Sequence, residues 1–399
     1  MAPANFSPMK LQAPSAARLG SEVLVKPTSR FACARSVFFA AGALLGLLTL
    51  GGCGGGGGGG GGNPDGIAPV AFVYPPSLAQ ATPTDNVDGF ISPFALNATT
   101  TQLDFVQTAV FSTSSSTGIL TIRVGDLSVP PPVGTLVEAG FIVNFDPSDR
   151  LQKSTLLPNS DNPLGTLTTL NPVCADCLRT VTLQATRLDG VTPTGDVTLT
   201  YLDPTLSGLK YSTLGIWSKV ATGSPTTWPE VGGAFSAGVL TRGIDLPTTG
   251  HATYNGYFIG RYATSVAITP GVPVGGTYLV GANAQAFADF SATPTGGVTF
   301  TTSNTQISGG GLLAPVAESR LNLTSTLMPI SRTSSTSNSF AGAVGTASTG
   351  FFPNTPGQIV GGFYGPPTGT TPPPEAGGSL TVSNSNQSMV GSFAVIKTP

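Results

Sequence analysis

Charge is scarce in this chain. Asp, Glu, Lys and Arg make up only 9% of its 399 residues, and the net charge is -2. There is neither a basic surface for nucleic acid nor an acidic tail, and solubility must come from Ser, Thr, Asn and Gln. Histidine occurs once, at His251, which excludes metal sites built from histidine clusters. No G-x-S-x-G, P-loop or H-E-x-x-H is present and the few carboxylates are scattered, so no enzyme is expected. Asp85-Asn86-Val87-Asp88-Gly89 begins like a calcium loop, but Leu96 stands where a bidentate Glu is needed, and a loop turn is expected. Helix-forming Glu, Lys and Arg are few and no amphipathic helix is visible, whereas Gly, Pro, Thr and β-branched residues abound; this predicts strands joined by turns.

Cysteine is sparse as well. Of four, Cys33 and Cys53 fall near the N-terminus, and Cys174 and Cys177 stand alone. Arg30 and Arg35 precede a short apolar run, Val37 to Leu50, which is below the ~20 residues of a spanning helix. Small residues then lead to Cys53. This is a bacterial lipoprotein signal over 1–52, with Met9 as an alternative start, and the Cys53 thiol is expected to take a diacylglyceryl group before cleavage. Gly54 rather than Asp after the cysteine implies passage to the outer membrane. Residues 53–83 form a polyglycine and Pro-rich tether with a reach of roughly 5–6 Å times the square root of its length. The tract matches G-x-G-x-x-G only trivially, because no strand precedes it and no helix follows. The Cys174–Cys177 spacing could serve redox chemistry, half a zinc site or haem attachment. Leu178 stands where attachment needs His, no second ligand pair exists, and no βαβ unit surrounds it, so a small structural disulfide is expected.

Two β-rich domains follow. In residues 84–246, strand-like runs fall at Leu103–Phe111, Gly118–Val124, Leu136–Asn144, Arg179–Ala185, Asp196–Leu202, Leu209–Lys219 and Ala234–Thr241, with clean alternation in Arg179–Ala185. Residues 247–399 hold eight: Ala252–Tyr262, Thr277–Phe290, Gly297–Thr302, Arg320–Met328, Phe340–Thr346, Gly357–Tyr364, Gly377–Ser383 and Met389–Lys397. The fold class is therefore all-β, an antiparallel β-rich handle followed by an eight-stranded up-and-down β-barrel. Tyr254, Phe258 and Tyr262 share one face of the first barrel strand, and Asn255, Tyr257, Ile259 and Arg261 the other. Ala282, Ala284, Ala286, Ala288 and Phe290 share a face of the second. Aromatic girdles are lacking and several strands are shorter than the ~9–11 residues of a membrane-crossing strand, so the barrel reads as soluble.

Three motifs carry a resemblance. They are Tyr211-Ser212-Thr213-Leu214-Gly215-Ile216-Trp217; Leu246-Pro247-Thr248-Thr249-Gly250-His251-Ala252-Thr253-Tyr254-Asn255-Gly256; and Gly361-Gly362-Phe363-Tyr364-Gly365-Pro366 with Glu375-Ala376-Gly377-Gly378. Together, over about Tyr201 to Pro399, they resemble the transferrin-binding protein B family, whose lobes pair a handle with an eight-stranded barrel. The chain has room for one handle and one barrel, so it looks like the single-lobe relatives. The resemblance implies a surface-exposed outer-membrane lipoprotein that captures an iron source, either an iron-carrier protein or haem. It also implies export by a dedicated lipoprotein assembly protein and an outer-membrane receptor partner. Transferrin-contacting residues find no match, so transferrin specificity is not carried over.

On this reading no cofactor is resident, and haem would be a ligand held by His251 with Tyr254 or Tyr257 as second axial group; the plain alternative is a solvated turn histidine. Trp217 alternates with apolar neighbours and is expected in the core. Trp228, between Thr227 and Pro229, is expected to be exposed as a protein-binding anchor. Ser331–Ser339 reads as a long loop that is either functional or a mere connection. Two functions stay open: a binding module for nutrient iron, and a structural or adhesive surface lipoprotein with no iron ligand.

Overall fold

The computed structural model describes residues 74, 78, 87–104, 109–113, 120–124, 141–145, 166–168, 170, 172–174, 177–187, 191–220, 229–267, 275–291, 296–353, 357–368 and 370–399. Cys53 and Trp228 lie outside them. No helix in the described residues is long and apolar enough to cross a membrane.

The first sheet comprises β1 (Val87–Asn97), β2 (Gln102–Asp104), β3 (Ala109–Thr113), β4 (Leu120–Val124), β5 (Phe141–Phe145), β6 (Thr166–Thr168), β7 (Leu178–Arg187), β8 (Pro193–Leu202), β9 (Ser212–Val220) and β10 (Glu230–Val239). All its ladders are antiparallel, in the order β2-β1-β10-β9-β8-β7-β5-β4-β3, with β6 beside β7. The loop turn expected at Asp85–Gly89 is corrected, because Val87, Asp88 and Gly89 belong to β1, which pairs with β10 from Val87 to Leu96. Gly89 and Pro93 disguise this strand in the sequence. Pro93 is tolerated because β2 borders β1 only at Ala95–Asn97, so its missing N–H breaks no second ladder. The expected run Leu103–Phe111 divides between β2 and β3. Within the segment read as tether, Leu78 is buried and its N–H donates to the Lys210 carbonyl at 2.8 Å, while the Tyr74 hydroxyl donates to Asp245 at 2.7 Å.

The second sheet comprises β11 (His251–Thr264), β12 (Gly276–Asp289), β13 (Gly297–Ser308), β14 (Val316–Ala317), β15 (Leu323–Ser325), β16 (Ile330–Ser331), β17 (Ser339–Thr346), β18 (Gly357–Tyr364), β19 (Glu375–Ser383) and β20 (Gln387–Lys397). Following β11, β12, β13, β15, β17, β18, β19 and β20 round returns to β11, so eight antiparallel strands close an up-and-down barrel. The expected strand Arg320–Met328 is shorter than read: a single 3-10 turn, Ser319–Leu321, precedes the three residues of β15. The Glu318 side chain accepts from the Arg320 N–H at the start of that turn and draws the chain out of extended geometry.

Alternation explains the barrel's filling. Tyr254, Phe258 and Tyr262 project inward with Ala282, Ala284, Ala286, Ala288 and Phe290, as their spacing predicts, and the small alanines make room for the rings. One mouth is stoppered by Tyr262 stacked at 6.1 Å on Phe351, over which Arg320 lies 4.3 Å from the ring centre. The other is filled by Phe290, 5.1 Å from Phe363, with the Arg332 guanidinium 5.7 Å away. An apolar interior with Asn255, Gln285 and Thr301 exposed outside reverses the pattern of a membrane-crossing barrel.

The handle lies on the outer wall of the barrel. Gly232, Ala234, Ser236 and Gly238 of β10 alternate toward the wall, and the outward residues of β19 and β20 meet them. Ile259, Ala263, Val390 and Ala394 of the barrel share one buried cluster with Leu214, Ile216 and Ala234 of the handle. β20 is consequently buried on both faces over most of its length. At Gly377 a Cβ would collide with Ser236 Oγ and lie 2.8 Å from the Phe393 carbonyl oxygen. Gly377→Val is therefore expected to push the handle from the barrel and cost ~1–3 kcal/mol of stability, read as a lowered melting temperature; an unchanged melt would contradict this packing.

Candidate functional site

The first and third of the resemblance motifs meet at the seam between handle and barrel. Glu375, at the start of β19, is 2% exposed. Its carboxylate accepts from the Lys210 N–H at 2.6 Å, the Tyr211 N–H at 3.1 Å and the Ser212 hydroxyl at 2.7 Å. Burial pushes its pKa up, against the hydrogen bonds from Ser212 and the backbone that pull it down. Beside it the Tyr364 hydroxyl lies 3.2 Å from Ser236 Oγ, and the Thr241 hydroxyl donates to the Gly365 carbonyl at 2.6 Å. Asn338 donates to the carbonyls of Thr241 and Phe363 and accepts from the Phe363 N–H at 2.7 Å. The Ser331–Ser339 segment is thus bonded to the chain leaving the handle. Arg261 and Glu230 form an ion pair at 2.7 Å across the same seam. Around Glu375, Asn338 and Thr241 the polar groups bond to one another, whereas in the ion pair Arg261 Nε and Glu230 Oε1 are buried without a hydrogen-bond partner; the arrangement is that of a joint.

The residues expected to hold haem are not brought together. His251 opens β11 with an exposed side chain, its ring 5.9 Å from that of Phe287. Tyr254 lies three residues on, an odd spacing that turns it to the opposite face. It is fully buried inside the barrel, its hydroxyl donates to the Pro373 carbonyl at 3.0 Å, and burial pushes its pKa up. Tyr257 shares the outer face with His251 but stands six residues along, about 20 Å at strand rise. Neither tyrosine can face His251 across one iron, and the expected axial pairing is corrected on that ground.

Cys174 and Cys177 are joined in a disulfide, with their Cα atoms 5.7 Å apart, just before β7. No group of three or more potential metal ligands occurs among the described residues. Trp217 is buried in the handle, as its alternation predicts.

What sequence reading misses is a groove of about 600 Å³ on the outer barrel wall, beside the turn that enters β9. Ser207 and Leu209 of the handle line it, with Asn255, Tyr257, Asn283, Gln285, Thr301 and Ser303 of β11, β12 and β13. In the sequence Tyr257 stands out only as an iron ligand. The other polar residues resemble any solvated strand face, and only the handle's position makes them one wall of a groove.

No protein-family model and no curated protein matches the chain. Several solved structures are similar to it. A transferrin-binding protein B double mutant from Haemophilus parasuis is 12% identical, with a TM-score of 0.37 over 77% of this chain and 45% of its own. Transferrin-binding protein B from serogroup B Neisseria meningitidis is 16% identical, with a TM-score of 0.34 over 75% and 53%. A surface lipoprotein is 14% identical, with a TM-score of 0.26 over 48% and 77%. The chain spans about half the length of the two transferrin-binding proteins. One antiparallel handle sheet seated on one closed eight-stranded barrel is the architecture expected from the transferrin-binding protein B resemblance.

Proposed function

We propose that this chain is a lipid-anchored protein of the outer-membrane surface, a binding module and not an enzyme, that captures an iron-carrier protein. The observation that supports the reading most is the convergence of the first and third motifs. Tyr211-Ser212 of the first motif and Phe363-Tyr364-Gly365 with Glu375 of the third are more than 150 positions apart in sequence yet lie in one hydrogen-bonded joint, with Thr241 bonded to Gly365 beside them. A chance likeness of strand-forming residues would not assemble that way. The barrel core is filled with side chains, so the reading places the partner on the outer wall and the handle loops. Trp228, from the sequence between Thr227 and Pro229, is the proposed anchor for that partner. His251 lacks a facing tyrosine, so a protein carrier is favoured over free haem.

The test uses intact cells displaying the full chain, with surface exposure checked by antibody. Fluorescent iron-loaded transferrin, its iron-free form and haem are offered in turn. Saturable binding of the iron-loaded carrier that needs the chain is the expected result. Absence of binding by any of the three, on cells that present the chain, overturns the reading and leaves a structural or adhesive role.

A further inference from the structure

The groove on the outer wall has a chemistry of its own. Register sets its residues in cross-strand rows: Asn255 stands opposite Gln285, which stands opposite Thr301, and Tyr257 opposite Asn283, which stands opposite Ser303. None of the groove's lining residues carries a formal charge. The Gln285 amide donates to the Asn255 carbonyl at 2.9 Å, which orients both side chains and leaves the Asn255 NH2 and the Gln285 oxygen to offer outward partners. One aromatic ring lines the groove and a second stands outside its lining on the same face. Tyr257 is half-buried against the handle, and Phe287, one row beyond Gln285, is 43% exposed. Four residues separate their rows, about 13 Å at strand rise.

We propose that this strip binds a neutral oligosaccharide. Sugar hydroxyls donate and accept at once, and the planar amides with flanking Thr and Ser hydroxyls answer both demands. The apolar face of a pyranose ring has matching surfaces in the Tyr257 and Phe287 rings. An anionic ligand would meet no cation among the lining residues and would lose hydration without compensation. A purely apolar ligand would strand the amides in the same way.

The full chain, extracted from membranes in mild detergent, is examined by saturation-transfer NMR with maltohexaose, cellohexaose and an N-acetyllactosamine oligomer, and with the sialylated form of the last as anionic counterpart. Saturable binding of a neutral oligosaccharide is expected, weakened about tenfold or more by Gln285→Ala and by Phe287→Ala. Both side chains are exposed, so the melting temperatures of these variants should match the parent. Leu313→Ala, an exposed residue after β13, should bind as the parent does. Binding of none of the neutral sugars, preference for the sialylated form, or equal binding by all variants overturns the inference. Capture of an iron carrier without saccharide binding sinks this inference and leaves the proposed function standing; saccharide binding without a carrier does the reverse.

Discussion

Glu375→Ala is expected to destabilise the folded chain by about 2–5 kcal/mol, because it strips the acceptor from two backbone N–H groups and a hydroxyl in a buried seam. Glu375→Gln is nearly isosteric. Its oxygen can still take the Lys210 and Tyr211 N–H groups, and the Ser212 hydroxyl can rotate to accept from its NH2, so a loss of about 1 kcal/mol is expected. Urea denaturation of the full chain reads both. The parent should also carry a pH dependence with a defined sign. Burial raises the folded-state pKa of Glu375 above that of the unfolded chain, so the folded state binds more protons in the window between the two. This contribution to stability is fully present below the unfolded pKa and is lost as pH rises through the folded one. Glu375→Gln cannot titrate and should remove that slope. A parent and a glutamine variant with the same pH profile would show that Glu375 is not the group responsible.

Cys53→Ala is expected to release the chain from the membrane almost completely. Each buried methylene contributes about 0.8 kcal/mol, and two acyl chains give the stable anchoring that one does not. Without the thiol the diacylglyceryl group has no attachment point, and cleavage at residue 53 fails with it. Labelled palmitate should appear in the parent and not in the variant, which should migrate as an uncleaved precursor. A variant still labelled, cleaved and membrane-bound would refute the lipoprotein assignment. Cells carrying Cys53→Ala should also fail to capture the iron carrier, although the handle and barrel are untouched.

Much of the barrel is legible in the residues themselves. The alternation of Tyr254, Phe258 and Tyr262, and of the alanines from 282 to 288, specifies which face is interior, since side chains in a strand change sides at every residue. The strand expected at Gly357–Tyr364 matches β18 to the residue. The handle is harder. β1 carries Gly89 and Pro93, which locally signal turns, and it is held extended by pairing with β10 along nearly its whole length. The axial partners expected for His251 fail for a related reason: chemistry suggests the residue types, whereas strand parity and rise decide that they do not meet.

Composition, strand period and the motifs around Tyr211, Leu246 and Phe363 are enough to specify an all-β chain with a barrel of eight strands. These are properties of neighbouring residues, and local sequence encodes them. The close seating of handle on barrel, the burial of Ile259 and Val390 on the barrel's outside, the role of Glu375 as a clamp and the groove beside Tyr257 are decided only in three dimensions. Each depends on which surface covers a strand's second face, and that surface is contributed by a different sheet or the chain leading into it: Ile259 is covered by Leu214 and Ile216, and Glu375 lies 163 positions from Ser212. The spacing of a strand tells which residues point together; what they point at is set by the packing of whole sheets.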